Sequence, residues 1–358
     1  MCLLKANYEI DYRDLNLDEL MKWSLAFKGG VVTNALIRKF LTKVKERDFG
    51  SNPSELRVWA KATNKETQWD LIRKYINEGK IRAEEFFGFV CSQEDLNLRM
   101  MQIHSYENAH LSKEFIEQKA KENKEIDDEI IGKQILKIKV PQTLELVLIY
   151  LSEELYRFKY AFPVERSKIN KSERVPFKGE LWSPWIRDKK RKTMVVDILP
   201  KRKKILVRTE NIKEKEFDSF QEKALEEIEA LTGELGLDSS NYIGAINRLR
   251  EEEKIESHHL KTRRGELDME FKHGKGKDIF TETNNNAFAL LETDGDETIP
   301  LPIHYITMRW KKLPKNLEQE KLINHVNCNN GKIRFGSLGK HPGDIVWYVL
   351  RHLDDAFI

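Results

Sequence analysis

One stretch constrains the fold more than any other: residues 175–209, which read VPFKGELWSPWIRDKKRKTMVVDILPKRKKILVRT. Two apolar runs, 194–199 and 205–207, are separated by Pro200 and four consecutive cations, Lys201, Arg202, Lys203 and Lys204. Apolar, partly β-branched runs bounded by a proline and a charged knot are the pattern of a hairpin. Upstream, Trp182 and Trp185 flank Pro184, and a second basic run follows: Arg187, Lys189, Lys190, Arg191 and Lys192. The segment therefore predicts two short strands with cationic charge gathered at both ends.

The chain before this hairpin reads as helices. Leu17, Leu20, Met21 and Leu25 recur at helical spacing ahead of Gly29 and Gly30. A second helix follows Thr33, with Ala35, Leu36, Phe40, Leu41 and Val44 inside and a basic outer face. Thr63 and Glu66 have the spacing of a capping box and open a helix that buries Trp69, Ile72 and Ile76 and stops at Gly79. Residues 111–133 are highly charged, and Ser112 caps an exposed connecting helix. Residues 135–140 alternate as a strand does, and 144–158 (LELVLIYLSEELYRF) predict a central core helix. The polar stretch 161–178 has the composition of a linker. Beyond the hairpin, 213–231 predict a helix and 238–250 a shorter one. Residues 261–277 predict a hairpin or loop, and 278–312 a set of strands. The end of the chain reads strand, loop, helix. The expected fold class is thus α+β: a helical N-terminal domain, 1–160, then an α+β domain, 161–358, with an antiparallel sheet and the basic β-hairpin.

Composition bounds what such a chain does. Charged residues make up 34% of 358, yet 62 basic against 59 acidic residues leave a net charge of only +3. Electrostatic recognition must therefore come from local segregation of charge. Three scattered cysteines with no CxxC pair argue against a disulfide framework and a thiolate zinc site, and fit a reducing compartment. Early charge speaks against a signal peptide, and no apolar run approaches a membrane span. The expectation is a cytoplasmic protein with no membrane association.

Catalytic signatures are incomplete. Residues 336–340 (GSLGK) lack the spacing of a phosphate-binding Walker loop. His258 with His259, and His325 with Cys328, supply too few ligands for zinc. Asp268 and Glu282 have the separation of a magnesium-binding acid pair in a nuclease, but the lysine that should accompany the second acid is missing. Glu270 and Lys272 have the composition of that second element but follow Asp268 too closely. No catalytic residue, metal or cofactor is assigned on this basis.

Nine of the eighteen residues from 187 to 204 are basic against two acids, Asp188 and Asp197. Cations beside aromatic rings suit a nucleic-acid surface, where charge tracks phosphates and rings stack on unpaired bases. The expected contact residues are Trp182, Trp185, Arg187, Lys189, Lys190, Arg191, Lys192, Lys201, Arg202, Lys203 and Lys204. Arg263 and Arg264, with Lys272, Lys275 and Lys277, form a second basic cluster. The resulting expectation is a non-catalytic nucleic-acid-binding or assembly protein whose partner is DNA or RNA. A metal-dependent nuclease and a scaffold docking a protein through the helical domain are the alternatives.

Overall fold

The computed structural model describes residues 9–11, 37, 40–41, 65–83, 85–86, 89, 98–108, 111–135, 140–169, 175–177, 180–182, 185–264, 267–272, 291–294, 297–300, 303–311, 313–315, 317, 322–336 and 342–355. Strand β1 (Glu9–Asp11) precedes helix α1 (Lys65–Asn77), which Gly79 ends with a φ of 67°. Strand β2 (Leu98–Ser105), helix α2 (Lys113–Glu122) and β3 (Lys133–Ile135) follow, and β3 pairs in parallel with β1. Ser112 caps α2 as its sequence implies, accepting a hydrogen bond from the Phe115 amide. Next come β4 (Glu145–Leu151), β5 (Tyr156–Ile169), the small ladder of β6 (Val175–Phe177) with β7 (Glu180–Trp182), β8 (Trp185–Leu199) and β9 (Lys204–Glu210). Helix α3 (Glu214–Thr232), β10 (Asp238–Ser239) and α4 (Ile243–Glu251) lead to β11 (Ile255–Arg264) and β12 (Leu267–Lys272). The paired β13 (Leu291–Asp294) and β14 (Glu297–Pro300) come before β15 (Ile303–Trp310), β16 (Ile323–Asn327), β17 (Lys332–Phe335) and α5 (Pro342–Leu353).

Among the described residues the fold is mixed α+β, with five α-helices around one large antiparallel sheet. Its strands run β12-β11-β15-β16-β17-β2-β9-β8-β5-β4, with β10 added beside β2. The expected hairpin forms its middle. Met194 pairs with Thr209, Val196 with Val207 and Ile198 with Ile205, and the chain turns at Pro200–Arg202.

Several segments differ from their sequence reading. Residues 144–158 are not a core helix but the hairpin of β4 and β5, which turns at Ser152. The Ser152 amide donates to the Leu155 carbonyl at 3.0 Å, and the Leu155 amide donates to Ser152 Oγ at 3.2 Å. A short continuous apolar run cannot separate strand from helix by period, and here pairing with β8 decides for strand. Strands also appear before residue 135, with β2 in the middle of the sheet rather than in an all-helical region. The stretch with linker composition gives half of β5, which runs unbroken through residues 160 and 161.

Directly opposed residues in an antiparallel pair share a face, so the register divides the sheet into two sides. On one side Phe158, Tyr160, Met194, Val196, Ile205 and Val207 pack under α2 and α3. On the other Met101, Ile103, Leu206, Ile306, Val326 and Ile333 pack under α4 and α5. Along β15, β16 and β17, buried residues on the α4–α5 side alternate with half-exposed residues on the α3 side. Beneath β5, β8 and β9 lies a buried ion triad, in which Arg157 donates to Asp197 at 2.6 and 3.0 Å and Arg208 donates to the same carboxylate at 2.5 Å. Burial alone would raise the Asp197 carboxyl, but the two guanidinium groups outweigh it and hold it below its ordinary value.

Candidate nucleic-acid interface

The turn between β8 and β9 is built by its own sequence. Pro200 fixes φ and opens one 3-10 turn, after which Lys203 enters the left-handed region at φ 50° and ψ 42°. The Lys203 amide donates to the Pro200 carbonyl at 3.3 Å, and the Lys203 carbonyl accepts from the Tyr106 amide at 3.2 Å. The backbone that carries the four cations is therefore held in place.

Their side chains differ in environment. Lys201 is exposed and reaches Glu154 at 3.3 Å. Lys204 is largely covered, with Nζ at 2.8 Å from Asp354 and 3.1 Å from Ser105 Oγ. Arg202 lies over the Trp347 ring at 5.2 Å from its centroid, and Arg351 lies over the same ring at 5.0 Å. Arg248 pairs with Asp355 at 3.2 Å. Lys203 and Arg351, both exposed, have no carboxylate partner among the described residues. A guanidinium over tryptophan gains about 0.5–1 kcal/mol at exposed sites, enough to orient the arginine without burying its charge.

The upstream basic run takes another course. Residues 187–192 are part of β8 and pair with β5, with Arg187 opposite Ser167, Lys189 opposite Glu165 and Lys190 opposite Val164. Arg191 is 4% and Lys192 5% exposed, and Lys192 Nζ closes on Glu210 at 2.6 Å. These two cations serve the interior of the sheet. Trp182 ends β7 opposite Val175 and Trp185 opens β8 opposite Ile169. The side chains of residues 166–190 lie outside the described residues. Arg263 and Arg264 end β11, and five strands separate β11 from β8, roughly 29 Å at the usual strand spacing. The two basic clusters therefore occupy different ends of the sheet.

No family model and no curated protein matches the chain.

The nuclease alternative gains no constellation. Asp268 lies on β12 opposite Arg263 in the backbone ladder, and Glu282 falls outside the described residues. Glu270 and Lys272 share β12 with Asp268 instead of occupying a second strand. His259 Nε2 donates to Glu270 at 2.7 Å, and Lys272 and Lys261 reach the same carboxylate at 3.1 and 3.3 Å. These three hydrogen bonds, with that of His259 the largest, hold Glu270 down at about 2. Among the described residues no group of three His, Cys, Asp or Glu is placed to hold a metal ion. Cys328 is buried, which pushes its thiol up to about 12. No helix among the described residues is long and apolar enough to cross a membrane.

Sequence reading missed two groups. Trp347 and Arg351 join the turn only through packing of α5, which lies far along the chain. The other group is a polar grid on the half-exposed side of the sheet. One row crosses four strands as His259, Thr307, His325 and Arg334, and the next as Lys261, Tyr305, Asn327 and Lys332. Its signal was present in the alternation of IHYITMRW, INHVN and KIRF, where every second residue is polar or aromatic.

Proposed function

We propose that the protein binds the phosphate backbone of nucleic acid through the β8–β9 turn and the adjoining face of α5. The observation that carries this reading is the meeting of Arg202 and Arg351 at the Trp347 ring, next to exposed Lys201 and Lys203 on a hydrogen-bonded turn. A fixed turn presents its cations without first ordering a loop, so little conformational entropy is lost on binding. The surface offers charge, not a pattern of base-reading groups, so recognition is of backbone and tolerant of sequence. Arg187, Lys189 and Lys190 extend the same reading along β8, whereas Arg191 and Lys192 are structural.

The test is a triple variant, Lys201→Ala with Arg202→Ala and Lys203→Ala, compared with wild type on single- and double-stranded DNA and RNA. Each lost phosphate contact flattens the log–log salt dependence by about 0.7–0.9, so three lost contacts flatten it by roughly 2–3. Thermal melts should show a loss of no more than about 1–2 kcal/mol, because Lys201 and Lys203 are exposed and half-buried Arg202 gives up its stacking on Trp347. Unchanged affinity and salt slope in a folded variant would exclude the turn as the contact surface.

A further inference from the structure

We propose that Arg334, His325 and Tyr305 form a subsite for a phosphate group on the half-exposed side of the sheet, away from the helix that carries Trp347. The three residues come from adjacent strands β17, β16 and β15, and line a cavity of about 120 Å³ that Phe217 and Glu214 of α3 close from above. The subsite does not depend on the turn, and neither reading needs the other.

Arg334 is the deciding residue. It is half-buried, yet no carboxylate partners it among the described residues, and its one neighbouring acceptor is the Met100 sulfur at 3.9 Å. Two positions earlier on the same face, Lys332 is closed off by Asp218 at 2.5 Å and Glu214 at 3.5 Å. The local acids are thus spent on Lys332, and the guanidinium beside them is left facing a cavity. An arginine fork matches two oxygens of an anion at once, and partial burial strengthens that bond.

His325 stands next to Arg334 in the register, and its Nδ1 lies 2.9 Å from Thr307 Oγ1 and 3.2 Å from Tyr305 Oη. Both hydroxyls hold the ring by one edge, and Nε2 is the nitrogen left for a ligand. The charged and titratable groups facing His325 are Arg334 and Lys332 from β17, His259 and Lys261 from β11, Tyr305 from β15 and Glu214 from α3. Burial, then Arg334 and His259, keep the imidazole more readily neutral than usual. An anion bound between Arg334 and His325 offsets the repulsion from both neighbours and draws a proton onto the ring. Tyr305 stacks on His325 at 6.5 Å between centroids, and Lys261 Nζ lies over the Tyr305 ring, 5.9 Å from its centroid. With the Arg334 fork and His325 Nε2 beside one cavity, the site suits the several oxygens of a phosphate better than the two of a planar carboxylate.

The experiment is an NMR and calorimetric titration of the full chain with inorganic phosphate, uridine monophosphate, a single-stranded oligonucleotide and acetate. The result expected is saturable binding of at least one phosphate-bearing probe, a downfield move of the His325 imidazole resonances as its pKa rises, and little response to acetate. Arg334→Ala should weaken binding roughly tenfold or more, the usual effect of losing a charge-assisted pair. Arg334→Lys, which keeps charge and stem, should recover only part of it and guards against misfolding in the alanine variant. The three phosphate probes separate the sources of the group: inorganic phosphate, a nucleotide or a polynucleotide backbone. The proposal is overturned if none of the phosphate probes moves His325 at millimolar concentration, if acetate binds equally well, or if a folded Arg334 variant binds as wild type does.

Discussion

Replacing Asp197 with alanine tests the sheet on which both surfaces rest. Asp197 and Arg157 are fully buried and Arg208 nearly so, and the carboxylate accepts three charge-assisted hydrogen bonds. The substitution leaves two interior guanidinium groups without that carboxylate. Breaking a buried pair from one side costs about 3–5 kcal/mol, because the remaining charge stays desolvated. Against a total stability of about 5–15 kcal/mol, this is a large fraction. Urea denaturation at neutral pH measures it, with Glu154→Ala as control, since the exposed Lys201–Glu154 pair should cost about 0–1 kcal/mol. A double-mutant cycle with Arg208→Met should recover part of the loss, because it removes one of the stranded charges. The folded-state carboxyl is depressed, so the triad's contribution is present above the ordinary carboxylate range and is lost as pH falls through the depressed value. A loss in Asp197→Ala no larger than that in Glu154→Ala would refute the buried triad.

Two further outcomes follow from other positions. Gly331 sits at φ 66°, where an added Cβ would lie 2.7 Å from the Ser240 carbonyl oxygen. Gly331→Ala should therefore cost about 2 kcal/mol or more in denaturant melts and disturb the turn that sets the register of Lys332 and Arg334. His104 is depressed to about 4, chiefly by burial, with Asp238 opposing and Lys332 adding. Its unfolded form takes up a proton near pH 6.5 while the native form resists until about pH 4, so stability is full above the first value and falls by roughly 3 kcal/mol between them. Comparing melts at neutral and mildly acidic pH in wild type and His104→Gln checks this, and equal slopes would sink it.

What the sequence revealed, it revealed through local chemistry. Pro200 marked a turn because proline rarely continues a strand, and α3 followed from the spacing of Phe217, Ala224, Leu225, Ile228 and Leu231. The segment 144–158 misled because its apolar run has no period that separates buried strand from buried helix; only pairing of β5 with β8 distinguishes them. Arg191 and Lys192 read as surface charge because composition does not show that Glu210, eighteen residues beyond Lys192, meets it across the sheet. Arg351 and Trp347 were invisible as partners of the turn for the same reason. Their contact with Arg202 spans most of the C-terminal half of the chain and arises only when α5 packs. His259, Tyr305, His325 and Arg334 lay in legible strand alternations, but the register that aligns them depends on strand order.

The most direct measurement is the affinity of the wild-type protein for a fluorescently labelled single-stranded oligonucleotide across a series of salt concentrations. With Lys201, Arg202, Lys203 and Arg351 at the contact, log K should fall linearly with log salt. At three to four phosphate contacts, each contributing about 0.7, the slope should be roughly −2 to −3. Absence of binding at low salt, or affinity that does not change with salt, would contradict the nucleic-acid reading.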